Sequence, residues 1–310
     1  MVNLRPFQNF IRVVELGSIS RAASQLGIAQ PALSTQILGL EAELGVKLLD
    51  RSTRGVEATN AGKTLYRHAK SLLARLEDAR QDVRASARDI VGKVSIGMPA
   101  STSEVLAVPL LKKLRADFPH LRPLIAIHPS QHLEELLING RLDIGVTFES
   151  RNQKGLNADP LLLEELFFVV PVVGRPNDRK PRGITMEELA QHALIVPALP
   201  NSGRLMVEAA AAQAGVELNV IAEINTSFGL LEATAGMEVA TILPWSGVLR
   251  RLPGTHFVKR PFLPKIERHI SLSISDGLPL SAAAHVTHAA IRSLTAELAT
   301  SGFWQGIRLL

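Results

Sequence analysis

The amino-acid sequence predicts three parts: an all-α winged helix-turn-helix at the N-terminus, a long linker helix, and a C-terminal α/β domain with two lobes. Three observations lead to this fold class. Residues 1–59 hold three short helical patterns and then a hairpin pattern, residues 60–89 hold one uninterrupted helical pattern, and residues 90–310 alternate short apolar runs with helical patterns. A chain of 310 residues is long enough to give each of two or three domains its own core.

The first part predicts three helices joined by tight turns. Apolar residues recur at helical spacing over residues 7–14, and Gly17 ends that helix. Ser18 can cap the second helix, and Gly27 makes the turn that follows it. Pro31 suits the first turn of the third helix, where a missing N–H costs nothing. The apolar face of this third helix is formed by Leu33, Ile37, Leu40 and Leu44.

The other face of the third helix is small and polar. Short hydroxyl and amide side chains at a helix start can enter a major groove and hydrogen-bond to base edges. A hairpin predicted from residues 48–50 and 56–58 would place two arginines near its tip, where they can contact phosphates. The predicted DNA-contacting residues are Gln30, Pro31, Ser34, Thr35, Arg51 and Arg54. Each alone could be an ordinary surface residue, so the prediction rests on the order of the elements.

The same stretch carries a family resemblance. The matching runs are residues 10–18 (FIRVVELGS), 21–26 (RAASQL), 30–34 (QPALS), 40–41, 44–45 and Arg51, all in register. This pattern resembles the N-terminal signature of LysR-type transcriptional regulators, and residues 59–62 (TNAG) resemble that family's entry to its linker helix. Residues 28–31 (IAQP) and 47–49 (KLL) are similar to the nitrogen assimilation control branch. The chain departs from the family pattern at Ala29, Leu49, Ala58 and Glu238.

Composition limits the class of protein. The sequence has no cysteine, which excludes disulfides, zinc fingers and cysteine nucleophiles and suits a reducing cytoplasm. No apolar leader is visible, and the apolar run over residues 166–173 is far shorter than the roughly 20 residues of a membrane span. Residues 1–92 hold 13 Lys and Arg against 9 Asp and Glu, which is +4 of the formal +5. We therefore expect a cytoplasmic protein with a basic N-terminal part, no membrane contact, no metal and no cofactor.

Residues 60–89 contain no proline and a single glycine, so they predict a helix of about 29 residues and roughly 43 Å. Apolar residues along it follow heptad spacing, which is typical of a coiled coil. The predicted dimerisation residues are Leu65, Ala69, Leu72, Leu76, Ala79 and Val83. The alternative is one amphipathic helix packed on its own domain.

The last part predicts two similar α/β lobes, of about residues 90–162 with 267–310 and about residues 163–266. We predict strands over residues 93–98, 124–127, 142–148, 166–173, 193–196, 219–224, 239–243 and 268–275. We predict helices over residues 104–118, 131–138, 203–214, 228–235 and 280–298, with Gly140 and Gly236 as stops. Two crossings between the lobes would leave a ligand cleft, and the arrangement resembles the periplasmic-binding-protein-like effector domain of the LysR-type family.

Three loops before predicted helices would face this cleft: residues 101–104, 200–203 and 225–227. Hydroxyl and amide side chains there, together with free N–H groups on a positive helix end, suit a carboxylate or other small anion. The predicted effector-binding residues are Ser101, Thr102, Ser103, Thr147, Phe148, Asn201, Thr226 and Ser227. The alternative is purely local, since Ser101 with Glu104 also forms a capping box, and Asn201 and Thr226 are typical helix caps.

The resemblance implies a sequence-specific transcriptional regulator that binds double-stranded promoter DNA as a homodimer or homotetramer. It also implies activation of some promoters, repression of others, DNA bending, contact with RNA polymerase, and control by a small effector. Two alternatives stay open: a regulator whose cleft is only structural, and an enzyme or small-molecule-binding protein without a DNA role. Catalysis has no support, because the sequence lacks a Gly-x-Ser-x-Gly elbow, a metal motif and a dinucleotide fingerprint.

Overall fold

The computed structural model describes residues 4–52, 55–84, 90–148, 153–172, 182–248 and 256–310. These residues divide into two compact units, Met1–Arg84 and Ala85–Leu310. The predicted linker helix thus belongs to the first unit. Among the described residues, no helix is both long and apolar enough to cross a bilayer.

The first unit is a winged helix-turn-helix followed by a long helix. Its elements are α1 (Arg5–Leu16), α2 (Ile19–Leu26), α3 (Gln30–Leu44), β1 (Leu49–Ser52), β2 (Gly55–Ala58) and α4 (Asn60–Arg84). Gly17 and Gly27 end α1 and α2 in the left-handed conformation, and the Ser18 hydroxyl accepts the Arg21 N–H at 3.3 Å. The predicted helices and turns are therefore confirmed. The predicted hairpin is confirmed as an antiparallel pair in which Leu49 faces Ala58.

Apolar side chains from all three short helices form the core of this unit. Fully buried members include Phe10, Val13, Leu33 and Ile37. Of the four residues predicted for the apolar face of α3, Leu33, Ile37 and Leu40 are buried. Leu44, the last residue of the helix, is 44% exposed and does not belong to the core.

The start of α4 is fixed closely against the chain that enters the wing. A Cβ on Gly62 would lie 2.0 Å from the Leu48 carbonyl oxygen, so only glycine permits this approach. Thr59 donates its hydroxyl to the Lys47 carbonyl at 2.8 Å and its N–H to the Leu48 carbonyl at 3.0 Å. The Thr59 hydroxyl also accepts the Gly62 N–H at 3.0 Å. These contacts attach the start of α4 to the residues that enter the wing.

The second unit is α/β. Its first elements are β3 (Gly92–Met98), α5 (Ala100–Asp117), β4 (Leu121–Ile127), α6 (Ser130–Ile138), β5 (Ile144–Phe148) and β6 (Leu156–Val172). They are followed by α7 (Met186–Leu189), β7 (Leu194–Val196), α8 (Ser202–Gln213), β8 (Val220–Glu223), α9 (Ser227–Met237), β9 (Thr241–Pro244) and a 3-10 helix, Trp245–Val248. The last are β10 (His256–Pro261), β11 (Glu267–Ser275), α10 (Ala282–Thr300) and β12 (Ile307–Leu309).

Strand β6 joins the two lobes. Its first part pairs antiparallel with β11 beside the parallel strands β4, β3 and β5, and its second part pairs antiparallel with β9 and β10. The strand predicted over residues 166–173 is too short at its start, since β6 begins at Leu156. Pro160 suggests a break, but the β6–β11 register shifts between Ile270 and Ser271, and this irregularity accommodates a residue that has no N–H.

Two predicted helix boundaries are wrong. Helix α5 begins at Ala100 instead of residue 104, with Pro99 as its N-cap, so residues 101–103 are helical. Helix α9 continues through Gly236 to Met237, and the left-handed residue that ends it is Glu238, with φ of 54°. Strands β10 and β12 were not predicted; β12 has only three residues.

Candidate nucleic-acid interface and ligand cleft

The predicted reading residues lie at the start of α3. Gln30, Pro31 and Thr35 are exposed, and Ser34 is partly buried. Residues 30 and 34, like residues 31 and 35, are one turn apart and therefore lie above one another on the helix. The Thr35 hydroxyl donates to the Pro31 carbonyl at 3.0 Å, so its proton is used within the helix. The Gln30 side-chain oxygen accepts the Ser20 hydroxyl of α2 at 3.1 Å.

The wing contributes one exposed cation in the described residues. Arg51 lies on β1 opposite Val56 and is exposed to solvent. Arg54 lies outside the described residues. Sequence reasoning missed Ser20, since a serine near a helix start is more often a surface residue than a contact to the next helix.

The predicted dimerisation seam divides into two parts. Leu65 packs against the core of its own unit, and Ala69 is only 4% exposed, so these two residues follow the alternative of a helix packed on its own domain. Leu72 is 49% exposed, and Leu76 is partly buried. The side chains of Ala79 and Val83 lie outside the described ones.

Polar contacts with α1 also hold the first part of α4 against its own unit. The Tyr66 hydroxyl donates to a Glu15 carboxylate oxygen of α1 at 3.2 Å, and the Lys70 ammonium lies 3.2 Å from the same carboxylate. The Lys70 ammonium also donates to the Tyr66 hydroxyl, and this hydrogen bond raises the pKa of Lys70 above its usual value. These contacts hold α4 on α1 up to about residue 70, and beyond it Leu72 is the exposed seam residue among the described side chains.

A cavity of about 730 Å³ lies between the two lobes of the second unit. The starts of α5, α6, α8 and α9 all contribute to its wall. The first N–H groups of a helix have no partner inside the helix and carry partial positive charge. Pro99 and Pro129, the N-caps of α5 and α6, provide no side-chain cap for these groups. The apolar wall includes Ile127, Phe148, Leu166, Leu199, Met206 and five prolines.

Five of the predicted effector residues line the cavity: Ser101, Phe148, Asn201, Thr226 and Ser227. Asn201 and Thr226 are also helix caps, as the local alternative predicted. The Asn201 oxygen accepts the Arg204 N–H and the Thr226 hydroxyl accepts the Gly229 N–H, each at 3.1 Å. These two side chains therefore orient the starts of α8 and α9 while forming part of the wall.

Three predicted effector residues do not line the cavity: Thr102, Ser103 and Thr147. Because residues 101–103 are helical, they point in different directions, and Ser101 alone reaches the cavity. Ser103 donates its hydroxyl to the Ala100 carbonyl at 2.7 Å. Thr147 lies on the opposite face of β5 from Phe148, where its hydroxyl is 2.6 Å from that of Ser273.

A buried ion pair that was not predicted from the sequence lies at this cleft. Glu164 on β6 and Arg268 on β11 face each other in the sheet and are 0% and 3% exposed. The Arg268 Nε and Nη2 atoms donate to one Glu164 oxygen at 3.0 and 2.6 Å. Nη2 also donates to the Ser101 hydroxyl at 2.9 Å, and the guanidinium carbon lies 3.8 Å from the centre of the Phe148 ring.

Glu164 collects further donors from distant parts of the unit. Its second carboxylate oxygen accepts the Ser246 hydroxyl at 2.6 Å and the Trp304 indole N–H at 3.0 Å. Ser246 follows β9 of the second lobe, and Trp304 lies in the core of the first lobe. Glu164 therefore links both lobes at their crossing. The sequence signal was a lone arginine at the start of an apolar strand, which needs a buried partner.

This arrangement favours a ligand with an anionic end and an apolar body. Glu164 already compensates the charge of Arg268, so four helix starts provide the remaining attraction for an anion. His128 and Glu134 also line the cavity.

Comparisons with known proteins agree with both halves of this description. Residues 4–63 match the family model "Bacterial regulatory helix-turn-helix protein, lysR family", and residues 87–296 match the model "LysR substrate binding domain". The chain is 35% identical over 304 residues to the nitrogen assimilation regulatory protein nac of Escherichia coli (strain K12), covering 97% of this chain and 96% of that protein. The protein of the same name from Klebsiella aerogenes is 32% identical over 299 residues, covering 96% of each.

A solved structure has the same fold. Full-length CbnR complexed with its target DNA matches with a TM-score of 0.70 and 20% identity, covering 95% of this chain and 100% of that one. At this identity the likeness concerns the fold alone.

Proposed function

This chain belongs to the LysR family of transcriptional regulators, and we propose that it binds promoter DNA through α3 and the wing. We also propose that a small anionic effector binds in the cleft and regulates this DNA binding. The observation that carries the DNA part is that the start of α3 is polar and exposed and that the wing carries an exposed arginine. The proposed contacts are Gln30, Pro31, Ser34, Thr35 and Arg51, with Arg54 as a sequence-based addition. CbnR, which has the same fold, was solved with its target DNA.

Arg51→Ala tests the wing. Because Arg51 would neutralise a phosphate, the variant should bind specific and random DNA more weakly. The slope of log affinity against log salt should fall by about one, measured by fluorescence anisotropy at several salt concentrations. Arg12→Ala is the matched control, since Arg12 lies on α1 and pairs with Glu15, and its slope should match the wild type. An unchanged slope for Arg51→Ala would contradict the wing contact.

For the cleft we propose a small organic carboxylate with an apolar body. Four helix starts at one cavity and a wall rich in proline and leucine support this class of ligand. The ligand would regulate DNA binding only if it binds one arrangement of the lobes better than another. The rival proposal is a cleft that is only structural.

Isothermal calorimetry of the full chain against small carboxylates, each paired with its neutral amide, tests the cleft. Carboxylates should bind and the paired amides should bind at least tenfold more weakly, because helix starts favour negative charge. Equal binding of both members of a pair would contradict the anion proposal. Binding by no compound of the panel would favour the structural cleft and leave the DNA part unaffected.

The remaining features are proposals on the same basis. We propose a cytoplasmic homodimer or homotetramer in which Leu72, Leu76, Ala79 and Val83 form the helix seam and Leu65 and Ala69 support their own unit. The two nac proteins are named as nitrogen assimilation regulators, and we propose the same branch for this chain. The matched relatives are regulatory proteins. We therefore propose that this chain activates or represses promoters and contacts RNA polymerase, and we propose no catalytic activity.

A further inference from the structure

The amide oxygen of Gln30 makes a hydrogen bond to a neighbouring helix. Gln30 is the first residue of α3, and its side-chain oxygen accepts the Ser20 hydroxyl of α2 at 3.1 Å. Both side chains are exposed, so the hydrogen bond lies at the surface that would face DNA. A glutamine amide has one acceptor oxygen and one NH₂ group with two donors. The oxygen keeps a second lone pair but is directed towards α2, so the NH₂ group on the other side of the amide is the part turned away from that helix.

This orientation decides which base edge Gln30 can read. A freely rotating glutamine pairs with adenine through both amide atoms, accepting from N6 and donating to N7. Guanine presents two acceptors in the major groove, N7 and O6, and no donor on that base. An amide that turns its N–H donors outward and its oxygen towards α2 therefore matches guanine better than adenine, whose N6 donor needs the oxygen.

Thr35 cannot replace Gln30 as the donor on this face. Its hydroxyl proton is already given to the Pro31 carbonyl at 3.0 Å. What Thr35 can offer a base is its methyl group and its oxygen lone pairs. Of the two exposed polar side chains at the start of α3, Gln30 and Thr35, Gln30 is thus the one that keeps N–H donors for base reading.

We propose that Ser20 is a positioning residue that turns the Gln30 amide so that Gln30 reads an acceptor edge, that of guanine, in the operator. This inference rests on the proposed function, because it applies only if α3 enters the major groove of DNA. Ser20 acts through Gln30 and needs no base contact of its own.

Selection of binding sites from a random duplex library by the full-length protein tests the inference. The wild type should select guanine at one position, and Gln30→Met, which keeps the length of the side chain without its amide, should lose that preference. The wild type should bind the site with guanine at this position about 5- to 150-fold more tightly than the site with adenine, which is the range for one good base contact. Ser20→Ala should reduce this ratio to within about threefold of unity at the same position and leave the other positions unchanged.

Two variants of matched size serve as controls. Ser20→Thr keeps a hydroxyl and should retain the guanine preference. Ser24→Ala removes an exposed hydroxyl one turn later on α2 and should give the wild-type profile. Combining Ser20→Ala with Gln30→Met should change the profile no more than Gln30→Met alone, since coupled residues are not additive.

The outcomes separate this inference from the proposed function. If the wild type selects no sequence at all, the proposed function fails. If it selects a site but prefers adenine at the Gln30 position, the inference is overturned. It is also overturned if Ser20→Ala weakens binding to every sequence equally and keeps the profile, because Ser20 would then contact a phosphate.

Discussion

Glu164→Met is expected to lower the free energy of unfolding by about 3–5 kcal/mol, because it leaves the Arg268 guanidinium buried without its countercharge. The same change removes the acceptor for the Ser246 hydroxyl and the Trp304 indole N–H. Each of those donors then loses its hydrogen bond inside the protein, where water does not replace it. Urea unfolding of the full chain, followed by the fluorescence of Trp304 and Trp245, measures the loss.

The double variant Glu164→Met with Arg268→Met is the control for this result. Replacing a whole buried ion pair by apolar residues of similar volume is often close to neutral, whereas breaking it is costly. We therefore expect the double variant to recover most of the stability that Glu164→Met loses. If the two substitutions cost the sum of their separate effects, the pair does not act as a unit and the contacts of Glu164 with Ser246 and Trp304 dominate.

Local chemistry made much of the first unit predictable. Gly17 and Gly27 are needed because a left-handed residue ends each helix, and Ser18 can satisfy an unpaired N–H without help from distant residues. Such signals are complete within a few residues of sequence. The same holds for Asn201 and Thr226, whose capping contacts span three residues.

Non-local pairing decided the parts that the sequence did not reveal. Glu164 and Arg268 are 104 residues apart, and only the register of β6 against β11 brings them together. The start of β6 was not predicted as a strand, and an irregular register accommodates Pro160 there. The prediction that Thr102 lines the cleft was wrong for a related reason. The rotation of α5 about its axis, and not composition, determines that Ser101 faces the cavity and Thr102 does not.

Glu238 shows how a tertiary position can override a local rule. Gly236 is a better left-handed residue than glutamate, yet it lies inside α9 and the chain turns at Glu238. Leu230 and Leu231 are buried on the inner face of α9, and Val239, directly after Glu238, packs against the same core, so the placement of these apolar side chains and not the glycine sets where the helix ends.

Leu72→Asp is expected to separate the proposed dimer. Leu72 is 49% exposed in the single chain, so a carboxylate there costs little in the folding of one unit. In a helix seam the same carboxylate would be taken out of water without a partner, which is strongly unfavourable. Losing the dimer also removes the linkage between two reading heads, which is worth about 10²–10⁴ in affinity for an operator with two half-sites.

Sedimentation and footprinting measure the two effects of this substitution together. The variant should sediment as a monomer and bind a two-half-site operator about 10²–10⁴ times more weakly, while its affinity for an isolated half-site stays as in the wild type. Leu72→Met, a substitution of similar volume, should keep the dimer and the paired footprint. Should Leu72→Asp sediment as the wild type and still protect both half-sites, Leu72 faces solvent in the assembled protein. The seam on α4 would then be only a packing stripe, as Leu65 and Ala69 already are within their own unit.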